Sequence, residues 1–455
     1  MPTMEAEVVL ASSPTDDGVS CWDLRTGVEH LRHKSCASPP HGLASVAGNF
    51  LASSQLRDRK SSSGSVFYWS WNKPQVEVRS FPAEAIKPLV ANSQGTYIAG
   101  GGVSGDIYFW EVATGKLLKK WHAHYRAVSC LVFNDDQSLL ISGSEDGCVR
   151  VWSLFLIFDD ARREEARHLF EYSFQEHSLR VTDVKTGYGG SNAIIVSASE
   201  DRTCKVWSLS RGKLLRNIVF PSIIDAISMD PGEHVFYAGG RDGKIYIAAL
   251  NAPVTSNSNY GSHIIGSLSE HSKAITCLAS SADGSLLVSG SEDGMIRVWD
   301  TITRNITRIF RHAKGPVSNV LIIRQPQYVN PRTPANSPAN PSRRHNLTLP
   351  PPLEKFANSP DENTHVKVFI GPQTTSNQQL DSSYISIQTM EAQIKELQQQ
   401  GSSAAAEVDM QTLKSEQQRS VQMVQQWKQM YENLHEFCVT ELLDGSHTVS
   451  ANGQN

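Results

Sequence analysis

Residues 142–153 read SGSEDGCVRVWS, and residues 289–300 read SGSEDGMIRVWD. The two stretches start 147 residues apart and are nearly the same phrase. Each ends in a run that alternates apolar and polar side chains, as in Cys148-Val149-Arg150-Val151-Trp152, which is the period of a β-strand with one buried face. Asp146-Gly147 and Asp293-Gly294 are hairpin-turn pairs between two such strands. Tryptophans close kindred phrases at Trp22, Trp69, Trp110, Trp152, Trp207 and Trp299, at intervals of 47, 41, 42, 55 and 92 residues. The last interval is two periods long. It holds a worn unit, AGGRDGKIYIAAL at 238–250, in which Ala248 stands where the tryptophan belongs. The chain therefore writes the unit seven times.

A period of 40–45 residues closing on Trp-Asp is the pattern of WD repeats, in which each unit is one four-stranded blade of a β-propeller. The predicted fold is all-β, a seven-bladed WD40 propeller over residues 1–324. The first unit lacks its opening strand because the chain starts too late, and an unclosed ring would leave a bare sheet edge. Residues 316–323, after the seventh unit, are the expected replacement, so that the two ends of the ring pair with each other.

Three units carry a fuller set: His124, Ser142, Asp146 and Trp152; His177, Ser197, Asp201 and Trp207; His271, Ser289, Asp293 and Trp299. Serine to aspartate is four residues and aspartate to tryptophan six in every case. Serine, histidine and aspartate are the residue types of a hydrolase triad. They are also the types needed for a chain of hydrogen bonds that satisfies buried polar groups within a blade. One active site has no use for three copies at fixed spacing, whereas a stacked architectural unit does, so these are read as structural tetrads.

The rest of the composition excludes several function classes. The 455 residues carry 42 basic and 46 acidic side chains, a formal charge of −4, with none of the basic excess of a nucleic-acid binder. The seven cysteines are scattered, odd in number and without a C-x-x-C pair, which suits a reducing compartment such as cytosol or nucleus. There is no secretory signal, no membrane-length apolar run, no nucleotide-binding loop, no H-E-x-x-H and no kinase motif, so neither an enzyme nor a cofactor is expected. Asp159 to Phe170 (DDARREEARHLF) reads as a short charged helix inserted in the 55-residue interval before Trp207, and RDRK at 57–60 as a basic loop.

Beyond the repeats the character changes. Nine of the 40 residues in 325–364 are proline, which reads as a flexible or polyproline-like linker. Residues 365–445 read as a helical, coiled-coil tail and 446–455 as disordered. In the tail Met410 and Leu413, then Val424, Trp427, Tyr431 and Leu434, fall at the 3-4 spacing of a helical seam suited to an interchain coiled coil.

Five stretches are more specific than the repeat alone: HAHYRAVSCLVF (122–133), VWSLFLIFDD (151–160), RVTDVKTGYGG (180–190), SIIDAISMDPGEHVFYAGG (222–240) and KGPVSNVLII (314–323), of which Tyr188-Gly189-Gly190 and Met229 to His234 lie outside the generic repeat pattern. With the tail they resemble the WD-repeat subunit of the Rix-type complex, which matures the large ribosomal subunit. The resemblance spans about residues 4–325. It implies a non-enzymatic nuclear scaffold, in nucleolus and nucleoplasm, for processing of the internal transcribed spacer of pre-rRNA. The implied partners are an α-helical-repeat scaffold subunit, an accessory subunit and an AAA-type ATPase on the pre-ribosome. It also implies a tail-mediated homodimer, a link to chromatin and replication, and only indirect RNA contact. A rival reading is a substrate receptor of a cullin ubiquitin ligase, since Trp22-Asp23-Leu24-Arg25 matches the W-D-x-R of such receptors.

Overall fold

The computed structural model describes residues 7–15, 18–55, 64–159, 168–250, 263–312, 315–324 and 349–356. They form seven antiparallel sheets, six of four strands and one of three. Each four-stranded sheet is one sequence unit read in chain order. The fourth blade, for example, runs Val128–Phe133, Leu139–Ser144, Val149–Ser153 and Phe170–Phe174. The alternation read in the sequence sets the register: Leu140 lies opposite Trp152 and Ser142 opposite Arg150.

The three-stranded sheet closes the ring. Asn319–Arg324 pairs antiparallel with Glu7–Ser12, from Glu7 opposite Arg324 to Ser12 opposite Asn319, and Glu7–Ser12 pairs in turn with Val19–Asp23. The closing strand begins three residues later than the 316–323 segment suggests, because Pro316 to Ser318 form the approach to it. Asn319 fastens the joint. Its Nδ2 donates to Pro39 O at 2.8 Å and to Ser12 Oγ at 3.0 Å.

The apolar core is divided into seven clusters, each sandwiched between two neighbouring blades. One example joins Ile107 and Phe109 of the third blade to Leu140 and Trp152 of the fourth. Both faces of every sheet are therefore covered, and no blade buries its apolar residues alone. The first strands line an axial channel, with a cavity of about 320 Å³ bordered by Leu89, Leu131, Asp183, Cys277 and Asn319.

The expected inserted helix falls mostly on residues 160–167, which lie outside the described residues. A five-residue helix, Leu154–Phe158, precedes them, with Leu154 and Ile157 buried against the third blade. One expectation from the sequence is corrected, that of a flexible linker. Residues 349–356 do not hang free: they pack on the second and third blades, with Leu353 buried. The remainder of 325–364, the tail 365–445 and residues 446–455 lie outside the described residues, as do the loop 57–60 and the seam residues Met410, Leu413, Val424, Trp427, Tyr431 and Leu434.

Candidate interaction surfaces

The three tetrads share one geometry. In the fourth blade His124 Nδ1 lies 3.2 Å from Asp146 Oδ2, His124 Nε2 lies 2.7 Å from Ser142 Oγ, and Trp152 Nε1 donates to Ser142 Oγ at 2.8 Å. The matching distances are 3.0, 2.8 and 2.9 Å in the fifth blade. In the seventh they are 3.0, 2.8 and 2.8 Å. Each aspartate also accepts backbone N–H groups, such as Tyr125 N and Cys148 N on Asp146. Burial pushes the Asp146 carboxyl up. The His124 ring and these N–H groups outweigh it and hold the carboxyl well below the usual carboxylate range. Burial pushes His124 and His271 down against the pull of their aspartates, so both rings are neutral near pH 7. A neutral ring donates from Nδ1 to the carboxylate and accepts at Nε2 from the serine hydroxyl, which in turn accepts the indole N–H.

That chain resembles a nucleophile, base and orienting acid in order, but Ser142, Ser197 and Ser289 have no exposed surface. A substrate carbonyl cannot reach those hydroxyls. The sixth blade shows the same point by replacement. At the histidine, serine and tryptophan positions it carries Phe220, Ala238 and Ala248, all buried, with Phe220 packed on Phe236 and Tyr246. Histidine, serine and tryptophan give way together to apolar side chains, while Asp242 stays at the aspartate position and accepts from the Tyr246 hydroxyl and Lys244 N.

Chemistry available to a partner sits on the rims. At the end of the ring that carries the Asp146-Gly147 turn, Tyr125 is 81% exposed and Leu179 52%, beside Arg126, Arg180, Glu145 and Glu200, around a groove of about 580 Å³. Arg241 binds Asp225 at 2.7 Å and Glu200 at 2.7 Å and spans two blades. His41, held at φ 59°, crosses the channel mouth so that its Nε2 lies 3.1 Å from Thr182 O, across the ring from the loop that carries it. Beside it Asp183 is buried and accepts Val184 N and Ile227 N, each at 2.8 Å.

At the opposite end, the two stretches most distinct from the repeat pattern meet. Tyr188 N donates to Glu233 Oε1, and the pocket between them, about 310 Å³, is bordered by Lys185, Gly187, Asp230 and Ser280. A Cβ at Gly187 would come within 2.3 Å of Glu233 Oε1, so a larger residue there would push the carboxylate aside. Tyr188 itself is 59% exposed. Neither surface was singled out as a site from the sequence. The marker that was available is the run Tyr188-Gly189-Gly190, whose glycines both have positive φ.

Arg25, the basis of the ligase-receptor reading, reaches Asp283 at 3.4 Å from the turn after the first blade's third strand. Among the described residues no helix is long and apolar enough to cross a membrane, and no group of histidine, cysteine and acidic residues could hold a metal ion.

Comparison with known proteins agrees with the repeat geometry. The WD domain, G-beta repeat family matches residues 115–153, 169–208 and 262–300, each of which contains one complete tetrad. Protein ROOT INITIATION DEFECTIVE 3 of Arabidopsis thaliana is 54% identical over 95% of this chain and 98% of its own length. WD repeat-containing protein 18 of Homo sapiens is 34% identical over 70% of this chain and 73% of its own. Pre-rRNA-processing protein IPI3 of Yarrowia lipolytica is 30% identical over 68% of this chain and 74% of its own. None of these relatives supports the ligase-receptor reading. A ring of seven blades, tetrads at the same three units and similarity that runs well past those units place the chain in the family of WD-repeat proteins to which ROOT INITIATION DEFECTIVE 3, WD repeat-containing protein 18 and pre-rRNA-processing protein IPI3 belong.

Proposed function

We propose that this chain is a non-enzymatic scaffold for pre-rRNA processing and assembly of the large ribosomal subunit, working in the nucleus. The observation that carries the reading is the similarity to a protein named for pre-rRNA processing, which extends over 74% of that protein. The structure supports a scaffold in physical terms. The tetrad hydroxyls are sealed, while exposed aromatic and charged side chains gather on the two rims of a closed ring. A rigid propeller offers several such surfaces at fixed separation, which suits a protein that holds others in place. The proposed partners are an α-helical-repeat scaffold subunit, an accessory subunit of the same Rix-type complex and an AAA-type ATPase on the pre-ribosome. The tetrads are the internal bracing of their blades. The tail seam, Met410 to Leu434, is proposed to join two copies as a coiled coil.

The test is affinity purification of the tagged full chain from nuclei, with mass spectrometry of the partners and a blot for spacer-containing pre-rRNA. Recovery of ribosome-assembly factors together with that RNA is expected. Recovery of cullin adaptor subunits without pre-rRNA would overturn the reading.

A further inference from the structure

Residues 349–356, LPPPLEKF, lie over the junction of the second and third blades, beside the turn that follows Trp110. Three hydrogen bonds tie the segment to the ring. Leu353 N donates to Ser80 Oγ at 2.9 Å, Glu354 N donates to Gly115 O at 2.8 Å, and Trp110 Nε1 donates to Glu354 O at 3.0 Å. Leu353 is 5% exposed and sits in the cluster shared by the two blades, with Leu349 partly buried beside it. Pro350, Pro351 and Pro352 bring no N–H that would need an acceptor, and their backbone is already restricted before it docks.

The ring side is shaped for this segment. Gly115 has φ +72°, and a Cβ there would lie 2.4 Å from Pro352 O, so only glycine admits the strand this close. Ser80, the acceptor for Leu353, is itself buried. The third blade also lacks the serine that takes the tryptophan N–H in the fourth, fifth and seventh blades. Gly100 stands opposite Tyr108, as Ser142 stands opposite Arg150. The Trp110 indole is therefore left without an internal acceptor, and the acceptor it has comes from a residue 244 positions away. An apolar cluster, an indole donor, a hydroxyl acceptor, a backbone acceptor and a close-approach glycine thus converge on a single proline-rich octapeptide.

We propose that the rim of the second and third blades is a peptide-binding groove for a proline-rich segment of the form Pro-Pro-Leu-Glu, and that residues 349–356 of the same chain are its occupant. The groove recognises the segment as an independent ligand, so it also binds the segment when supplied as a separate peptide. In the intact chain the tether from Arg324 is 24 residues, 325–348, and keeps the effective concentration of the segment in the millimolar range. The chain beyond Phe356 consequently departs from this rim and not from the closing strand of the first blade.

The probe is a fluorescein-labelled synthetic peptide of residues 347–357, read by anisotropy against the full chain carrying Leu353→Asp, which empties the groove. Saturable binding to this variant is expected, with none to the unaltered chain at the same concentrations because its own segment competes. The same peptide carrying the leucine-to-aspartate change should bind at least about tenfold more weakly, the factor that follows from losing one buried leucine side chain. A second chain, in which 349–356 is replaced by eight glycine and serine residues, gives the same readout if the aspartate variant misfolds. Absence of peptide binding to whichever emptied chain is folded overturns the proposal. In the unaltered chain, amide exchange at Leu353 and Glu354 should be slow at every protein concentration. Protection that disappears on dilution would assign the occupant to a second copy and overturn the same-chain assignment.

Discussion

Replacing Ser289 by alanine removes one oxygen and leaves two buried groups without partners. Ser289 Oγ accepts from Trp299 Nε1 at 2.8 Å and lies 2.8 Å from His271 Nε2. Ser289 has no exposed surface, Trp299 is 2% exposed and His271 8%, so water cannot replace the hydroxyl. An orphaned buried donor or acceptor costs about 1–3 kcal/mol, so the loss is roughly 2–6 kcal/mol for the pair. Unfolding entropy of about 2.1 cal/mol/K per residue makes that a fall of about 3–10 °C in Tm for a ring of roughly 300 residues. The assay is thermal melting of the full chain followed by far-UV circular dichroism, with a double-mutant cycle. Trp299→Phe deletes the indole donor, so once it is in place Ser289→Ala leaves only the imidazole acceptor without its partner. The double variant should therefore be more stable than the sum of the two singles, by about 1 kcal/mol or more. The converse change, Ala238→Ser, places a hydroxyl among Phe220, Phe236 and Ala248 and should destabilise the sixth blade. A Tm within 1 °C of the parent for Ser289→Ala, or strict additivity in the cycle, would refute the bracing argument.

Asn319→Ala removes the clasp on Pro39 and Ser12 and should cost about 1–3 kcal/mol, measured as a lower Tm. Deletion of 316–323 should lower the Tm much further, and an unchanged transition would show that the ring does not depend on its latch. Burial holds His33, His41, His124 and His271 below the ordinary histidine range, so the unfolded chain binds more protons than the folded one just below pH 6.5. Stability is therefore complete above that pH and falls as pH drops through it. A further loss follows below about pH 4 as the depressed carboxyls of Asp146, Asp201 and Asp293 protonate. A Tm at pH 5.5 equal to that at pH 7.5 would contradict this. Tyr125→Ala with Arg180→Glu should reduce recovery of protein partners while leaving the Tm within about 1 °C, because Tyr125 is exposed and Arg180 lies at the groove surface. Trp427→Glu with Leu434→Glu should convert a dimer to a monomer by light scattering, and a monomeric parent would refute the coiled-coil seam.

What the sequence determined by itself is what a blade needs. Ser142, Asp146 and Trp152 lie within eleven residues, and the register of adjacent strands turns that spacing into contact, so the pattern repeats wherever the blade does. The missing first strand was legible for the same reason, since a first unit without its opening strand needs that strand from elsewhere, and Asn319–Arg324 supplies it. The tertiary structure alone decided what happens between units. It carried His41 to Thr182, 141 residues away, and brought Tyr188 onto Glu233. It also showed that Phe220, Ala238 and Ala248 stand at the histidine, serine and tryptophan positions of the sixth blade, where the sequence shows only a lost tryptophan. Leu353 and its prolines read as linker because nothing near them in the chain offers a partner. The groove that holds them is assembled from Ser80, Trp110 and Gly115 only once neighbouring blades have packed. Contacts within a strand pair follow from local spacing, whereas contacts between distant segments exist only after the ring has closed and placed their ends side by side.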